Sequence, residues 1–409
     1  MVTTFYPPYN FGGDGIFVQR LATALANDGH DVHVVHDRDA YAFCAGGKAA
    51  EQAVVDAPGI TRHLLGEGAK NEIDLVAVHQ LGRPVQKLGQ LKQLLNSDFD
   101  VIHFHNVSLL GGPEILKYGG NAVKLCTLHD HWFVCATHAL WRFGQEACTT
   151  RTCFSCTIKA KRPPQLWRWT AAVANAAKNI DAFIAPSQFA RQSHINNGFP
   201  APIRVLPHFI PDSFLEDAAT MQLDRSAAHP RPYFMFVGRL EKLKGAQFLI
   251  EQFKQYDAAD LLIVGAGDYE PELRNAAAGL NHVHFVGKVD STRLNQLYRQ
   301  AIAIVVPSLC YETFGLVALE AFAQGTAAIV TNLGALPELI RDGGGLSYNN
   351  GSELIEAMEK LRTNDQLRRQ LGLDGLANLK SNYTQQRHLL AYYDMIAELT
   401  GSRSMQEVT

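Results

Sequence analysis

No apolar run in the sequence approaches the roughly 18–20 residues that a helix needs to cross a bilayer. A membrane-spanning helix is therefore not expected. No leader-like stretch precedes Phe5-Tyr6-Pro7-Pro8, so the expected location is the cytoplasm. Cysteine is scarce: seven in 409 residues, an odd number unevenly spread. That argues against a disulfide framework and for a reducing compartment. An excess of one charge sign is missing too. Thirty-seven Lys and Arg against 40 Asp and Glu leave a net charge of −3, which offers no bulk attraction for nucleic acid. Internal repeats and low-complexity tracts are also absent.

The sequence does have enough material for large cores: 47% of residues are hydrophobic and 19% charged. Its length predicts two domains, or three. Short β-branched runs alternate with helical patterns. Strands are expected at Asp31–His36, Val101–His105, Val123–His129, Ala182–Ala185, Tyr233–Val237, Leu261–Val264, Val283–Val286 and Ile302–Val306. Helices are expected at Ile16–Asn27, Leu91–Leu95, Trp167–Asn179, Ala246–Tyr256, Pro271–Ala278, Thr292–Gln300, Leu316–Gln324 and Tyr383–Leu399. Such alternation predicts parallel sheets wrapped by helices. The stretch Leu206–Pro232 lacks a clear period and marks the expected domain break.

The segment from Val305 to Ile340 carries the most chemistry. Glu312 and Glu320 are separated by the turn Thr313-Phe314-Gly315, and Leu316 opens an apolar helical run. A carboxylate on the loop can accept hydrogen bonds from sugar hydroxyls, and one about two turns into the helix can hold a ribose diol. The turn points backbone N–H groups, with the positive end of the helix, at a diphosphate. Spacing alone fits an ordinary amphipathic helix as well. The run Pro307-Ser308, Glu312-Thr313-Phe314-Gly315, Glu320-Ala321, Gly325 and Pro337-Glu338 resembles the C-terminal motif of family 4 retaining glycosyltransferases. Thr326-Ala327-Ala328 stands where that family usually has a proline.

The resemblance implies an α/β protein of GT-B fold, two Rossmann-like parallel-sheet domains facing each other across a cleft. The expected boundaries are 1–205 for the acceptor-side domain and 206–382 for the nucleotide-sugar domain. Residues 383–409 would form a last helix that crosses back. The opening segment resembles the family as well, with Gly12-Gly13-Asp14-Gly15 before a helix and the run Gly29-His30-Asp31-Val32. Gly12 and Gly13 are thereby placed against the donor diphosphate. The first strand is cut to Val2–Phe5, where the family has a longer one. Each buried side chain so lost is worth roughly 1.5–3 kcal/mol.

Histidines end two of the expected strands, where open α/β sheets bind ligands. His129, in Thr127-Leu128-His129-Asp130, matches the family's active-site histidine. His105 is an acceptor-side candidate. Asp130 either orients His129 or an acceptor hydroxyl, or caps a helix, and His103 reads as structural. In the second domain, Gly238-Arg239-Leu240 and Lys244-Gly245 occur at the family's spacing. Arg239 and Lys244 would neutralise the leaving diphosphate, while Lys242 reads as solvated. Gly265, Gly287 and Lys288 follow the next strands and would line the donor and its base.

Cys135, Cys148, Cys153 and Cys156 crowd the segment after His129, the last two as Cys-x-x-Cys. Four thiolates can hold a structural zinc or an iron–sulfur cluster; free thiols are the other reading. Beyond them, Lys159, Lys161 and Arg162 interleave with Trp167 and Trp169. That composition suits a solvated loop entering a helix, or a peripheral contact of 159–169 with an anionic inner membrane face and a lipid-linked acceptor.

The resulting expectation is a hexosyltransferase that moves a sugar from a nucleoside-diphosphate sugar to a hydroxyl acceptor in polysaccharide or glycoconjugate synthesis. His129, Glu312, Arg239 and Lys244 carry the chemistry, and no catalytic metal is expected. Two other readings stay open. One is a nucleotide-sugar epimerase of the same fold; the other is a metal- or redox-sensing protein on an inactive scaffold.

Overall fold

The computed structural model describes residues 1–46, 56–66, 72–215 and 229–406, the last five without their side chains. The chain divides into two compact units. Met1–Pro207 with Leu389–Thr409 forms the first, and His208–His388 the second.

The strands of the first unit are β1 (Val32–Asp37), β2 (Ile60–Leu65), β3 (Val101–Phe104), β4 (Val123–Thr127), β7 (Ala182–Ala185) and β8 (Ile203–Val205). A small antiparallel hairpin, β5 (Trp141–Arg142) and β6 (Glu146–Ala147), lies between β4 and β7. β1 pairs with β2, and β3-β4-β7-β8 follow one another, all parallel. The N-terminal stub joins the two sets. Val2 bridges in parallel to both Val35 and Phe104. Its N–H donates to the His103 carbonyl at 2.9 Å, and Thr3 N–H donates to the Val35 carbonyl at 3.0 Å. Val2, Thr3 and Thr4 are buried. The short first strand is thus fully used, with the stub inside the sheet between β1 and β3.

The second unit holds one six-stranded parallel sheet: β9 (Tyr233–Val237), β10 (Asp260–Val264), β11 (Val283–Gly287), β12 (Ala303–Val306), β13 (Ala328–Thr331) and β14 (Gly345–Tyr348). Their order is β11-β10-β9-β12-β13-β14. Most of these strands read as continuous apolar runs because both sheet faces are covered. Phe234 and Phe236 enter one core, Tyr233 and Met235 the other. Counting the stub as the first strand of its unit, both sheets run outward from the first strand and reverse beside it, the doubly wound order. Ligands in such sheets bind where the order reverses, beyond the carboxyl ends of the strands.

One expected helix differs. Trp167–Asn179 is broken into a 3-10 turn, Leu166–Trp169, and a helix, Ala172–Ala177. Trp167 is buried, and its Nε1–H donates to the His79 carbonyl at 3.0 Å. The last helix, Gln385–Gln406, joins the first unit from Leu389 onward. There Tyr392 meets His103 Nδ1 at 3.1 Å, and Tyr393 donates to Asp28 at 2.8 Å.

Candidate active site

In the second unit the order reverses between β9 and β12, which pair directly. The chain leaving β9 passes Gly238 and Arg239 into a turn, Lys242–Lys244, and then the helix Ala246–Phe253. The chain leaving β12 passes Ser308 and Glu312 into the helix Leu316–Ala323. The two loops are pinned together, since Leu309 N–H donates to the Leu243 carbonyl at 2.8 Å. Gly245 permits this approach. It has φ +79°, and a Cβ there would lie 1.8 Å from the Pro307 carbonyl oxygen.

Lys244 Nζ and Ser308 Oγ both donate to Glu312 Oε1, at 2.8 and 2.6 Å. Among the described residues nothing bonds to Oε2. Burial pushes the Glu312 carboxyl up. The Lys244 charge, with the hydrogen bonds from Lys244 and Ser308, outweighs that and holds it below the usual carboxylate range. Burial likewise works against the Lys244 ammonium, but Glu312 holds its pKa above the ordinary value. An ionised carboxylate with one oxygen fixed and one open is an acceptor aimed at hydroxyl groups. Arg239 is 45% exposed and paired to Glu241 at 2.6 Å, and its charge still reaches Glu312 and Lys244. Lys242 is exposed.

The helix behind Glu312 starts at Gly315 with no side-chain cap, so its first N–H groups are available to an anion. Thr313 and Leu316 flank this turn. The Phe314 ring is buried against His208 and Tyr383, so at that position only backbone is on offer. Glu320 lies in the helix, with the Tyr298 hydroxyl 3.4 Å from its Oε2. Gly238, Gly265 and Gly287 form a row at the ends of β9, β10 and β11. Gly238 N–H donates to the Val264 carbonyl, and Gly265 N–H to the Gly287 carbonyl. A Cβ on Gly265 would sit 1.9 Å from the Gly238 oxygen. Lys288, next in line, is exposed.

In the first unit the order reverses between the stub and β3. Gly12 caps the helix Gly13–Asn27, and its carbonyl accepts from Asn10 Nδ2 at 2.8 Å. Asp14 in the first turn accepts from Asn106 Nδ2, beyond β3, at 3.0 Å. His105 Nδ1 and His129 Nε2 lie 3.0 Å apart, and the Phe17 ring packs on His129. Burial depresses the His129 pKa, partly offset by the carboxylates of Asp14 and Asp130. His103 is a buried structural residue, held by Tyr392 and, at 2.8 Å, by Thr127. Asp130 does not bond to His129. It accepts from Trp132 N–H and pairs with His138 Nδ1, each at 2.8 Å. Burial would raise its carboxyl, but His138 and that N–H hold it at about 2.

Sequence reasoning missed Ser308, Asp14, Asn106 and His138. Ser308 and Asp14 were in view, inside motifs selected for their neighbours. Asn106 and His138 acquire roles only through the fold.

The four clustered cysteines are all free and line one pocket with Thr137, Trp141 and other residues of the segment. They are not among the ligand groups whose atoms lie within 4.8 Å of one another. Among the described residues that test is met by His229, Asp260 and His284. Both of those histidines already bond Asp260 Oδ2, at 2.6 and 2.9 Å. Arg231 makes an ion-pair contact with Oδ1 at 2.8 Å, without the alignment of a hydrogen bond. The group sits at the start of β10, at the opposite end of the strand from Gly265.

Two family models match the chain: Glycosyltransferase Family 4 over residues 11–214 and Glycosyl transferases group 1 over residues 231–364. Together they take in most of its length, and the chain belongs to the family 4, group 1 glycosyltransferases. An uncharacterized glycosyltransferase of Methanocaldococcus jannaschii is 41% identical over 113 residues, 26% of this chain and 29% of that protein. A phosphatidyl-myo-inositol mannosyltransferase of Mycobacterium leprae is 36% identical over 153 residues, 35% of this chain. That match also takes in less than half of the relative, 41% of its length. A glycogen synthase of Mycobacterium tuberculosis is 29% identical over 364 residues, 84% of this chain and 80% of the relative. Among solved structures, sucrose-phosphate synthase from Thermosynechococcus elongatus superposes with a TM-score of 0.71 at 21% identity, over 98% of both chains. Anabaena HepE in complex with UDP and glucose does so with a TM-score of 0.67 at 15% identity, over 97% of this chain and 98% of its own. The likeness to these structures is one of fold, GT-B with two Rossmann-like domains.

Proposed function

We propose that this chain transfers a sugar from a nucleoside-diphosphate sugar to a hydroxyl acceptor with retention of configuration, in the synthesis of a polysaccharide or glycoconjugate. The observation that carries this reading is Glu312, ionised, bonded through Oε1 to Lys244 and Ser308 and open at Oε2. Oε2 would accept from hydroxyls of the donor sugar. Lys244 and Arg239 would take up charge as the diphosphate departs, the main electrostatic demand of the reaction. The uncapped turn at Thr313–Leu316 and the glycine row would receive phosphates and base, and Glu320 the ribose. In the first unit, Gly12 and Gly13 would approach the diphosphate, and His129 would position the reacting sugar. His105 would line the acceptor side. Retention would follow from displacement on one face, with the departing phosphate helping to deprotonate the acceptor. HepE's complex with UDP and glucose supports a nucleotide-sugar donor by analogy of fold.

The test is sugar transfer by Glu312→Gln and Lys244→Ala. Each is expected to lose on the order of 100-fold or more in kcat while keeping the wild-type circular dichroism. Full activity in either variant would sink the assignment.

We further propose that the acceptor is lipid-linked and met at an anionic membrane face. Phe154, Ile158, Leu166 and Trp169 are each more than half exposed, with Phe154 and Trp169 ring centroids 6.3 Å apart. Lys159, Lys161 and Arg162 are exposed among them. Apolar side chains rimmed by cations fit such a surface. Cosedimentation with vesicles containing anionic phospholipid should exceed that with neutral vesicles. It should also fall in the double variant Phe154→Ala, Trp169→Ala. Equal recovery in all cases would refute the contact.

A further inference from the structure

We infer that Cys135, Cys148, Cys153 and Cys156 form a structural zinc site that braces the segment after His129. The geometry brings all four around one pocket, although they are spread over more than twenty residues. None is in a disulfide. Cys153 and Cys156 both lie in the helix Cys153–Lys159, one turn apart. Cys148 follows the β5–β6 hairpin, and the turn of that hairpin also reaches the cluster, since Phe143 N–H donates to Cys156 Sγ at 3.3 Å. An N–H bonded to sulfur is what a metal thiolate requires from its surroundings.

Charge gives an independent reason. Arg168 stacks on Trp167, and its nitrogens donate to the carbonyls of Trp132 and Phe133 and to the Gln165 side chain. All of these partners are neutral. Among the described residues no carboxylate pairs with this guanidinium. The groups that act on its charge are Cys135, Cys153 and the carboxylate of Asp130. A largely buried cation calls for nearby negative charge, of which Asp130 supplies a part. Zinc held by four thiolates carries two net negative charges and would add to it; four neutral thiols would not. Around zinc the sulfurs would stand roughly 3.8 Å apart, from bonds of about 2.3 Å. That is closer than they stand here, so binding draws the hairpin and the helix start together.

The site would fix one particular segment. His131 N–H donates to the His138 carbonyl, Cys135 N–H to the His131 carbonyl, and His138 pairs with Asp130. Zinc at the cysteines would therefore hold the residues that follow His129 in the chain.

The experiment is elemental analysis of the purified full-length chain. About one zinc per chain is expected, released in proportion when a mercurial reagent titrates the thiols. The double variant Cys153→Ser, Cys156→Ser should fall to background zinc. Its segment between Gly144 and Thr152 should be cut faster by a protease than in the wild type. If that variant does not fold, wild-type protein stripped of metal and titrated with Cd²⁺ decides. A thiolate-to-metal absorption saturating near one equivalent supports the site. Protein without zinc that gives no such absorption overturns it, as does a Cys153–Cys156 disulfide found by mass or the visible absorption of an iron–sulfur cluster.

Discussion

Glu312 commits one carboxylate oxygen to the protein and keeps the other open, and it is at single residues that such divisions of labour are made. The histidines divide in a similar way. His103 uses both ring nitrogens inside the fold, while His129 meets His105 at the end of its strand. His131 is a third kind. It is buried, stacked on His194 and bonded to Ser193 at 2.8 Å, and burial lowers its pKa to about 3. The unfolded chain takes up this proton as pH falls below 6.5, and the folded chain resists until about 3. Stability from this group is therefore present above 6.5 and lost as pH falls through that window. His131→Asn should flatten the fall of melting temperature between pH 6.5 and 3 relative to wild type, by an amount worth a few kcal/mol at most. Parallel profiles for the two proteins would contradict this. Burial of this kind is not visible in sequence, where His131 is one of several histidines in a row.

At the scale of elements, the two units use the same device. Each sheet reverses its strand order beside its first strand, and each reversal is tied by a polar contact between the loops that leave the two strands. These are Asp14 with Asn106 in one unit and Lys244 with Glu312 in the other. The second tie depends on Gly245. Gly245→Ala would force a side chain onto the Pro307 carbonyl in a left-handed backbone. The expected cost is roughly 2–5 kcal/mol from strain and overpacking, read as a lower urea midpoint, together with loss of the Lys244–Glu312 geometry and of activity. An unchanged midpoint would mean that the two loops are not pinned there. Much of this scale was legible beforehand. The strands Ala182–Ala185 and Tyr233–Val237 fall where their β-branched and aromatic runs placed them. β14 was not seen, being four residues without a distinctive pattern. The helix Asp365–Asn382 was hidden by Gly372 and Gly375, poor helix formers that pack tightly against Gly325 and Phe322. Tertiary contact there overrides propensity. At the site, residue types and order were legible. The bonds among Lys244, Ser308 and Glu312 were not, because they arise from pairing β9 with β12.

At the scale of the whole molecule, the first unit is discontinuous in sequence. It takes in the chain up to Pro207 and again from Leu389, while His208–His388 forms the second unit without interruption. Synthesis on the ribosome proceeds from the N-terminus, and domains fold as they emerge. The second unit therefore has all its residues available before the first does. The bond between Tyr392 and His103, the bond from Tyr393 to Asp28 and the ion pair of Arg204 with Glu398 must wait until the residues after His388 have been made. The half that begins first is the half that is finished last, and a nascent chain halted near His388 would carry a complete second unit beside a first one still missing its final helix.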